Sequence, residues 1–201
     1  MSDLWRRLSE DQRKEVLEYR KCHKRPWRRP PHFDQGNTHY YLTGACYEHR
    51  DWIGHSPQRM GDFYESLLET IQNHADSADP AAWCVLPNHY HLLLRTANLK
   101  SLVTALSRLH GGSSFRWNRE ENCQRRKVWH GVSDRAMRSE GHFWATVNYI
   151  HHNPVKHGYV ARWDEWPFSS ATGYLKNLGR EEAARIWNDF PILDYGKGWD
   201  E

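Results

Sequence analysis

The sequence predicts an α+β fold, in which an antiparallel sheet of ferredoxin-like topology carries helices on one face. Short segments rich in β-branched and aromatic residues, as in strands, alternate with segments whose apolar residues recur at helical spacing. They follow the order strand, helix, strand, strand, helix, strand, helix, which is close to a split β-α-β arrangement. The 201 residues suffice for one domain with a core, plus extensions at both ends.

The first predicted elements form an N-terminal appendage and the start of the main domain. Ser9 and Gln12 have the spacing of a capping box, which predicts that a helix begins there. A Pro-rich segment follows, so residues 1–36 are interpreted as a helix and a basic arm. In the main domain, predicted at 37–175, "THYYLTGACY" has the composition of a strand and "QRMGDFYESLLETIQNHA" the periodicity of a helix.

The remaining elements complete the sheet and add a C-terminal extension. "AWCVL" and "HYHLLLR" are predicted strands that form a hairpin, and "KVWHGV" is a predicted short fourth strand. The helix "LKSLVTALSRLHGGSSFRWNRE" is expected to bend or break near Gly111 and Gly112. A third helix is expected to start at Ser139 and to stop before Pro154. "EWPFSSATGYL" is predicted to be a loop, and residues 176–201 a final helix and tail.

Composition excludes several classes of protein. The four cysteines are far apart and form no Cys-x-x-Cys pair, so neither a structural zinc site nor a disulfide framework is expected. No apolar run approaches the roughly 18 residues of a membrane helix, and the N-terminus is charged rather than signal-like. The expectation is a soluble, cytoplasmic protein without a membrane partner. The net charge of +3 does not by itself demand nucleic acid.

Basic residues are concentrated in two places. "RKCHKRPWRRP" holds six Lys or Arg and no acid, and "QRRK" at 124–127 is a second cluster. Basic clusters with aromatic residues between them suit phosphate backbones and stacked bases. For either cluster alone, a solvated arm is an equally good interpretation.

Two histidines near the middle of the chain suggest a metal site. On a strand, residues two apart point to the same face, so His89 and His91 project together and could chelate one ion. The alternative is a pair of hydrogen-bonded structural histidines. On the predicted third helix, Tyr149 and Asn153 lie one turn apart on one face and could supply a nucleophile and a third ligand. Asn153 could instead simply end the helix, and His152 is a rival third ligand.

These motifs together resemble the single-tyrosine HUH transposase superfamily and, within it, the REP-associated tyrosine transposases. The superfamily's two histidines around a hydrophobic residue correspond to His89, Tyr90 and His91. Its Tyr-x-x-x-Gln or Asn pattern corresponds to Tyr149 and Asn153, and the "NPVKHG" that overlaps it is typical of the REP-associated branch. The resemblance covers roughly residues 38–175, and "WPFSSA" lies within it. Tyr90 departs from the aliphatic residue that is usual there.

The resemblance implies an HUH nuclease fold and metal-dependent cleavage and rejoining of single-stranded DNA. Tyr149 would be the nucleophile that forms a 5′-phosphotyrosine link, and His89, His91 and Asn153 would bind Mg²⁺ or Mn²⁺. Imidazoles usually favour later transition metals, so the ligand set alone does not identify the ion. The covalent link would conserve the phosphodiester energy, which agrees with the absence of a P-loop pattern.

The resemblance also implies a hairpin DNA partner, with the protein acting on the nucleoid as a monomer or a dimer. Trp27 or Trp129 could stack on unpaired bases, and Lys156 and His157 could contact phosphate near the cut. The candidate DNA-binding residues are Lys24, Arg25, Trp27, Arg28, Arg29, Arg125, Arg126, Lys127 and Lys156. The alternatives are a hairpin-binding relative that no longer cuts and a His-x-His metallohydrolase. The latter's barrel typically needs about 250 residues.

Overall fold

The computed structural model describes residues 9–12, 14, 15, 18, 38–74 and 80–193. The chain divides into two compact units, residues 1–33 and 34–201. In the first unit, the backbone N–H of Ser9 donates to Gln12 Oε1 at 2.9 Å, and the N–H of Gln12 donates to Ser9 Oγ at 3.2 Å. This is the capping box predicted from the sequence, and helical residues follow from Glu10.

The second unit contains a four-stranded antiparallel sheet in the order β2-β3-β1-β4. This order is that of a ferredoxin-like sheet, and it confirms the predicted fold class. The strands and helices are β1 Thr38–Ala45, α1 Pro57–His74, β2 Ala82–Val85, β3 His89–Thr96, α2 Leu99–Glu120, β4 Ser133–Ala136, α3 Glu140–Lys156, α4 Ala171–Leu178 and α5 Arg180–Asp189. Among the described residues, no helix is long and apolar enough to cross a membrane.

Helices cover both faces of the sheet, which corrects the prediction that they share one face. Tyr40, Leu42 and Leu92 pack with α1 and α2 in one apolar cluster. Tyr41 and Leu93 point the other way and pack with α3 in a second cluster. The run of apolar residues in β3 is the sequence signature of this two-sided burial, since a strand with one wet face alternates apolar and polar residues.

Tyr90, between the two histidines, belongs to the core on the α1–α2 face. Its cross-strand neighbour is Gly44, where an added Cβ would lie 2.4 Å from Tyr90 Cε1. Glycine is therefore required for the tyrosine ring to lie flat against β1. The Tyr90 hydroxyl donates to Nε2 of buried His110 at 3.0 Å, and the His110 ring stacks on Trp129 at 4.1 Å. Burial lowers the pKa of His110 to about 3, so it stays neutral and can accept this bond.

Two predicted elements differ from the observed ones in the middle of the chain. Helix α2 runs unbroken through Gly111 and Gly112, because buried His110 and Trp117 hold the helix against the core on both sides of the pair. The fourth strand lies at Ser133–Ala136, not at 127–132, where one isolated bridge joins Trp129 to Cys46.

Two further differences concern the C-terminal part. Helix α3 continues through Pro154 to Lys156 instead of stopping before the proline. The segment predicted as a loop at 165–175 contains the start of α4, so the predicted boundary at residue 176 falls inside that helix. The final helix lies where it was expected, as α5.

Candidate active site

Strand β3 presents two buried histidines toward α3. His89 and His91 are 1% and 0% exposed, and their ring centroids lie 4.8 Å apart. They alternate with Tyr90, which faces the opposite core, so the strand period of two brings both imidazoles to one face. This is the placement that the His-x-His spacing predicted.

The ring of His91 is oriented by two hydroxyls from β1. Its Nδ1 lies 2.8 Å from the Tyr41 hydroxyl and 3.1 Å from Thr43 Oγ1. Both oxygens can accept a proton carried by Nδ1, so Nε2 is the nitrogen that would bind a metal ion.

The ring of His89 is oriented by the residue before it. Asn88 Nδ2 donates to the backbone carbonyl of His49 at 3.0 Å, which fixes the way the amide faces. The amide oxygen of Asn88 therefore points at His89 Nδ1, 2.6 Å away, and accepts the proton there. In a neutral imidazole this leaves the lone pair on Nε2, the atom that faces α3.

Asn153 brings an amide oxygen from α3 to the histidine pair. Its Oδ1 lies 3.1 Å from His89 Nε2, and the side chain is fully buried. When His89 is neutral and carries its proton on Nδ1, two acceptor atoms face each other at this point, and Asn153 Nδ2 has no hydrogen-bond partner within the described part of the chain. A cation between the two acceptors would remove that conflict. Adjacent ligands of an octahedral ion at 2.0–2.1 Å are about 3 Å apart, so the pair fits a Mg²⁺-sized ion.

Asn153 is the side chain that the structure places beside the histidine pair as a candidate third ligand. Over residues 38–74 and 80–193, and in the N-terminal residues that are described, no three His, Cys, Asp or Glu side chains cluster as metal ligands. Two imidazoles and one amide oxygen would leave coordination positions of an ion open for a further ligand.

Tyr149 lies one helical turn before Asn153, on the same face of α3. It is 2% exposed, and its ring centroid lies 5.5 Å from that of His91 and 6.3 Å from that of Tyr41. The Lys156 ammonium donates to the Tyr149 hydroxyl at 3.5 Å. A positive charge at this distance stabilises negative charge on the phenol oxygen.

The local sequence of α3 explains this alignment. Ser139 caps the helix, and its Oγ accepts a hydrogen bond from the backbone N–H of His142 at 3.1 Å. The continuation of α3 past Pro154 then places Lys156 seven residues after Tyr149, two turns along the same face. A helix that ended before the proline would not have brought the ammonium there.

Two other histidines of the "YIHHNPVKHG" segment have different surroundings. His157, the C-cap residue of α3, is exposed, and its ring centroid lies 5.1 Å from that of His89. His152 points away from the histidine pair, and its ring centroid lies 5.2 Å from that of Trp187 on α5. There it lines a cavity together with Trp163. It is therefore not brought to the site as the rival third ligand.

The basic residues of the second cluster fall into two groups. Arg126 Nη1 forms an ion pair with Glu121 Oε2 at 2.7 Å, and its Cζ lies 3.9 Å from the centroid of the Trp52 ring. The side chain of Arg126 is therefore engaged in contacts within the protein. Hydrogen bonding to Arg126 is the main cause that lowers the pKa of Glu121, to about 2. Arg125 and Lys127 are exposed and stay candidates for DNA contact.

The two tryptophans expected to stack on bases have different outcomes. Trp129 is 7% exposed and lies in the α1–α2 core, so it cannot serve as a base platform, which corrects that expectation. Trp27 lies outside the described residues, as do its basic neighbours Lys24, Arg25, Arg28 and Arg29.

Sequence reasoning missed three residues that orient the site. Asn88 was assigned no role, although its place directly before His89 is a signal for a hydrogen bond to that ring. Tyr41 and Thr43 were seen only as strand formers. Their contact with His91 depends on the β1–β3 register, in which Thr43 pairs with His91.

Comparison with known proteins agrees with the motifs. No family model matches the chain. A Haemophilus influenzae protein assigned by name to the REP-associated tyrosine transposases is 29% identical over 148 residues, which cover 67% of this chain and 79% of that protein. The Escherichia coli K12 REP-associated tyrosine transposase is 30% identical over 95 residues, which cover 44% of this chain and about half, 52%, of the relative.

A solved structure shares the fold. It is described as a REP-associated tyrosine transposase bound to a REP hairpin, and it aligns with a TM-score of 0.58 at 17% identity, over 76% of this chain and 88% of that one. The named relatives confirm the resemblance inferred from the motifs, and this structure confirms the fold.

Proposed function

We propose that this chain, a relative of the REP-associated tyrosine transposases, is a metal-dependent enzyme that cuts and rejoins single-stranded DNA beside hairpin elements. The observation that carries the proposal is the convergence of Tyr149 with His89, His91 and Asn153 in one buried site.

The reaction is inferred from the resemblance to the transposases, and the groups that are present support it. The Tyr149 oxygen attacks the scissile phosphorus, and the bond from phosphorus to the 3′ oxygen of the preceding nucleotide breaks. The phenol proton is lost and the leaving 3′ oxygen gains one, so the products are a 5′-phosphotyrosine and a free 3′ hydroxyl. Attack on this link by a second 3′ hydroxyl reverses the step and reseals a strand, without ATP.

The protein side chains have distinct tasks in this scheme. Lys156 holds a positive charge 3.5 Å from the Tyr149 oxygen and stabilises the phenolate as the proton leaves. Asn88 and Tyr41 orient the two imidazoles through their Nδ1 atoms. A divalent ion held by His89, His91 and Asn153 would polarise the phosphate and offset its developing charge. Of the two candidates, Mg²⁺ and Mn²⁺, Mn²⁺ is the softer match to imidazole.

The substrate is inferred from the relatives. The solved neighbour is described as bound to a REP hairpin, and we extend that class of DNA to this chain. Exposed Arg125 and Lys127 are candidates to hold the hairpin phosphates.

The test is a covalent-adduct assay. The wild-type protein, Tyr149→Phe and a control variant, Tyr174→Phe, are incubated with a labelled single-stranded hairpin that carries flanks on both sides, with Mg²⁺, Mn²⁺ or EDTA. Tyr174 is a half-buried tyrosine on α4 that lines the cavity on the far side of α3. We expect wild type and Tyr174→Phe to form a denaturation-resistant protein–DNA adduct with either metal ion and not in EDTA. Tyr149→Phe should form no adduct under any of these conditions.

Two results would redirect the proposal. Metal-dependent cleavage that survives Tyr149→Phe would indicate attack by water, as in a metallohydrolase. Tight hairpin binding with no adduct from any flank sequence would favour a protein that binds hairpins and no longer cuts.

A further inference from the structure

Aromatic rings continue outward from the histidine pair. The His157 centroid lies 5.1 Å from that of His89, the Tyr159 centroid 6.2 Å from that of His157, and the Trp166 centroid 5.4 Å from that of Tyr159. We call His157, Tyr159 and Trp166 the aromatic row. It starts beside His89, a candidate metal ligand, and its exposed members are His157 and Tyr159; the reaction described above gives it no task.

The row is open to solvent, in contrast to most aromatic side chains in the described residues. His157 is exposed, and Tyr159 is 38% exposed, one of few large apolar side chains at that level. Trp166 is half-buried and anchored, because its Nε1–H donates to the Val85 carbonyl at 2.8 Å. The outer end of the row is thus fixed to β2, and its middle offers a ring face to solvent.

The end of α3 also fixes the row relative to the active site. The backbone N–H of His157 donates to the Asn153 carbonyl at 3.1 Å, and that of Tyr159 donates to the Pro154 carbonyl at 2.9 Å. Gly158, between them, has φ +73°, a left-handed conformation that glycine adopts without strain. The residue that supplies the candidate amide ligand and the residue that presents the ring therefore belong to one hydrogen-bonded helix end.

We propose that the aromatic row is a stacking platform for unpaired bases adjoining the phosphate that Tyr149 attacks. Proteins bind single strands by stacking successive bases on aromatic side chains while a basic group tracks the backbone, and Lys156 at the inner end is such a group. The inference rests on the proposed function, but it assigns a surface that the cleavage chemistry does not require.

The charge near Tyr159 favours a base over a phosphate at the middle of the row. Burial raises the pKa of Tyr159, and the Asp51 carboxylate raises it further, so an acidic group lies near this ring. A carboxylate repels a phosphate but accepts hydrogen bonds from the amino groups of bases. The platform would therefore hold bases, with the backbone on the Lys156 side.

The test measures binding without cleavage. Hairpins with an unpaired flank, labelled at successive flank positions with 2-aminopurine, are titrated in EDTA with wild type, Tyr159→Leu, Tyr159→Phe and the control Phe115→Leu. Phe115 is 72% exposed on α2, which packs against the opposite face of the sheet. We expect Tyr159→Leu to weaken binding by about 5- to 150-fold and to abolish the fluorescence quenching at one or two flank positions. Tyr159→Phe should preserve both signals, and Phe115→Leu should change neither.

Several outcomes would overturn the inference. Unchanged affinity and quenching in Tyr159→Leu would remove the platform, as would an equal loss of affinity for a hairpin that lacks the flank. A shift of the oligomeric state in Tyr159→Leu, with DNA binding intact, would assign the row to a protein contact instead. The proposed function fails separately, in the adduct assay with Tyr149→Phe, which needs no signal from Tyr159.

Discussion

Replacement of Asn88 tests whether the hydrogen bond behind His89 supports metal binding. Asn88→Ala removes two bonds, the 2.6 Å contact to His89 Nδ1 and the 3.0 Å contact to the His49 carbonyl. Each is worth about 0.5–1.5 kcal/mol net, but only the first acts on the imidazole. Without that acceptor, the proton of His89 can move to Nε2 and the ring can rotate. Loss of such a partner typically lowers metal affinity about 10- to 100-fold, or about 1.4–2.8 kcal/mol.

The assay is a titration of the protein with Mn²⁺, followed by electron paramagnetic resonance of the free ion and by calorimetry. Asn88→Asp keeps an acceptor at the position and should bind Mn²⁺ at least as well as wild type. Asn98→Ala is the matched control, because Asn98 Oδ1 accepts from the Ser101 N–H at 2.9 Å as the N-cap of α2. It should lower the free energy of unfolding by about 0.5–2 kcal/mol and leave Mn²⁺ affinity unchanged.

The reasoning is refuted if Asn88→Ala binds Mn²⁺ as tightly as wild type while it loses stability to the same extent as Asn98→Ala. Asn88 would then be a turn residue, and the orientation of His89 would be set by packing alone.

Three further predictions concern the core and the nucleophile. Gly44→Ala should lower the free energy of unfolding, measured by urea titration, by about 1–3 kcal/mol or more, because the added Cβ would overlap the Tyr90 ring. Tyr90→Leu in the same chain should recover part of this loss. Buried His110 has its pKa lowered to about 3, so the unfolded chain binds a proton that the folded chain does not as pH falls below about 6.5. The free energy of unfolding should therefore decrease from pH 6.5 toward pH 3, and this residue contributes up to about 1.4 kcal/mol per pH unit to the decrease. The measurement is the urea midpoint as a function of pH, for wild type and for His110→Gln. The same pH dependence in both proteins would contradict the prediction. Lys156→Met should slow formation of the Tyr149 adduct about tenfold or more in single-turnover gels, and an unchanged rate would show that the 3.5 Å contact has no role in the reaction.

The sequence was sufficient to predict three of the four strands and the pairing of site residues, because the signals were local. The period of two in β3 places His89 and His91 together, and the period of the helix places Tyr149 and Asn153 together. Bringing the two pairs to one place required a helix on the second face of the sheet. The run Leu92, Leu93, Leu94 carried that information, but the prediction of helices on one face did not use it.

The remaining misses came from tertiary contacts that override local preference. Gly111 and Gly112 disfavour a helix by roughly 1 kcal/mol each, yet the buried residues of α2 before and after them keep it continuous. Pro154 removes one hydrogen bond of α3 but does not end the helix, since the buried face that includes Asn153 is packed on the sheet. The orienting roles of Tyr41 and Thr43 depend on strand register, which no single segment specifies.

The two faces of the sheet carry apolar layers of unequal size. In the part of the chain that the structure describes, twenty buried residues form the cluster with α1 and α2 and eight form the cluster with α3, so less apolar burial there holds the α3 side in place. Local opening requires less free energy where fewer apolar contacts are buried. Tyr149, 2% exposed, lies in the smaller layer. Opening of the layer that carries Tyr149 is therefore expected to require less free energy than opening of the layer formed with α1 and α2.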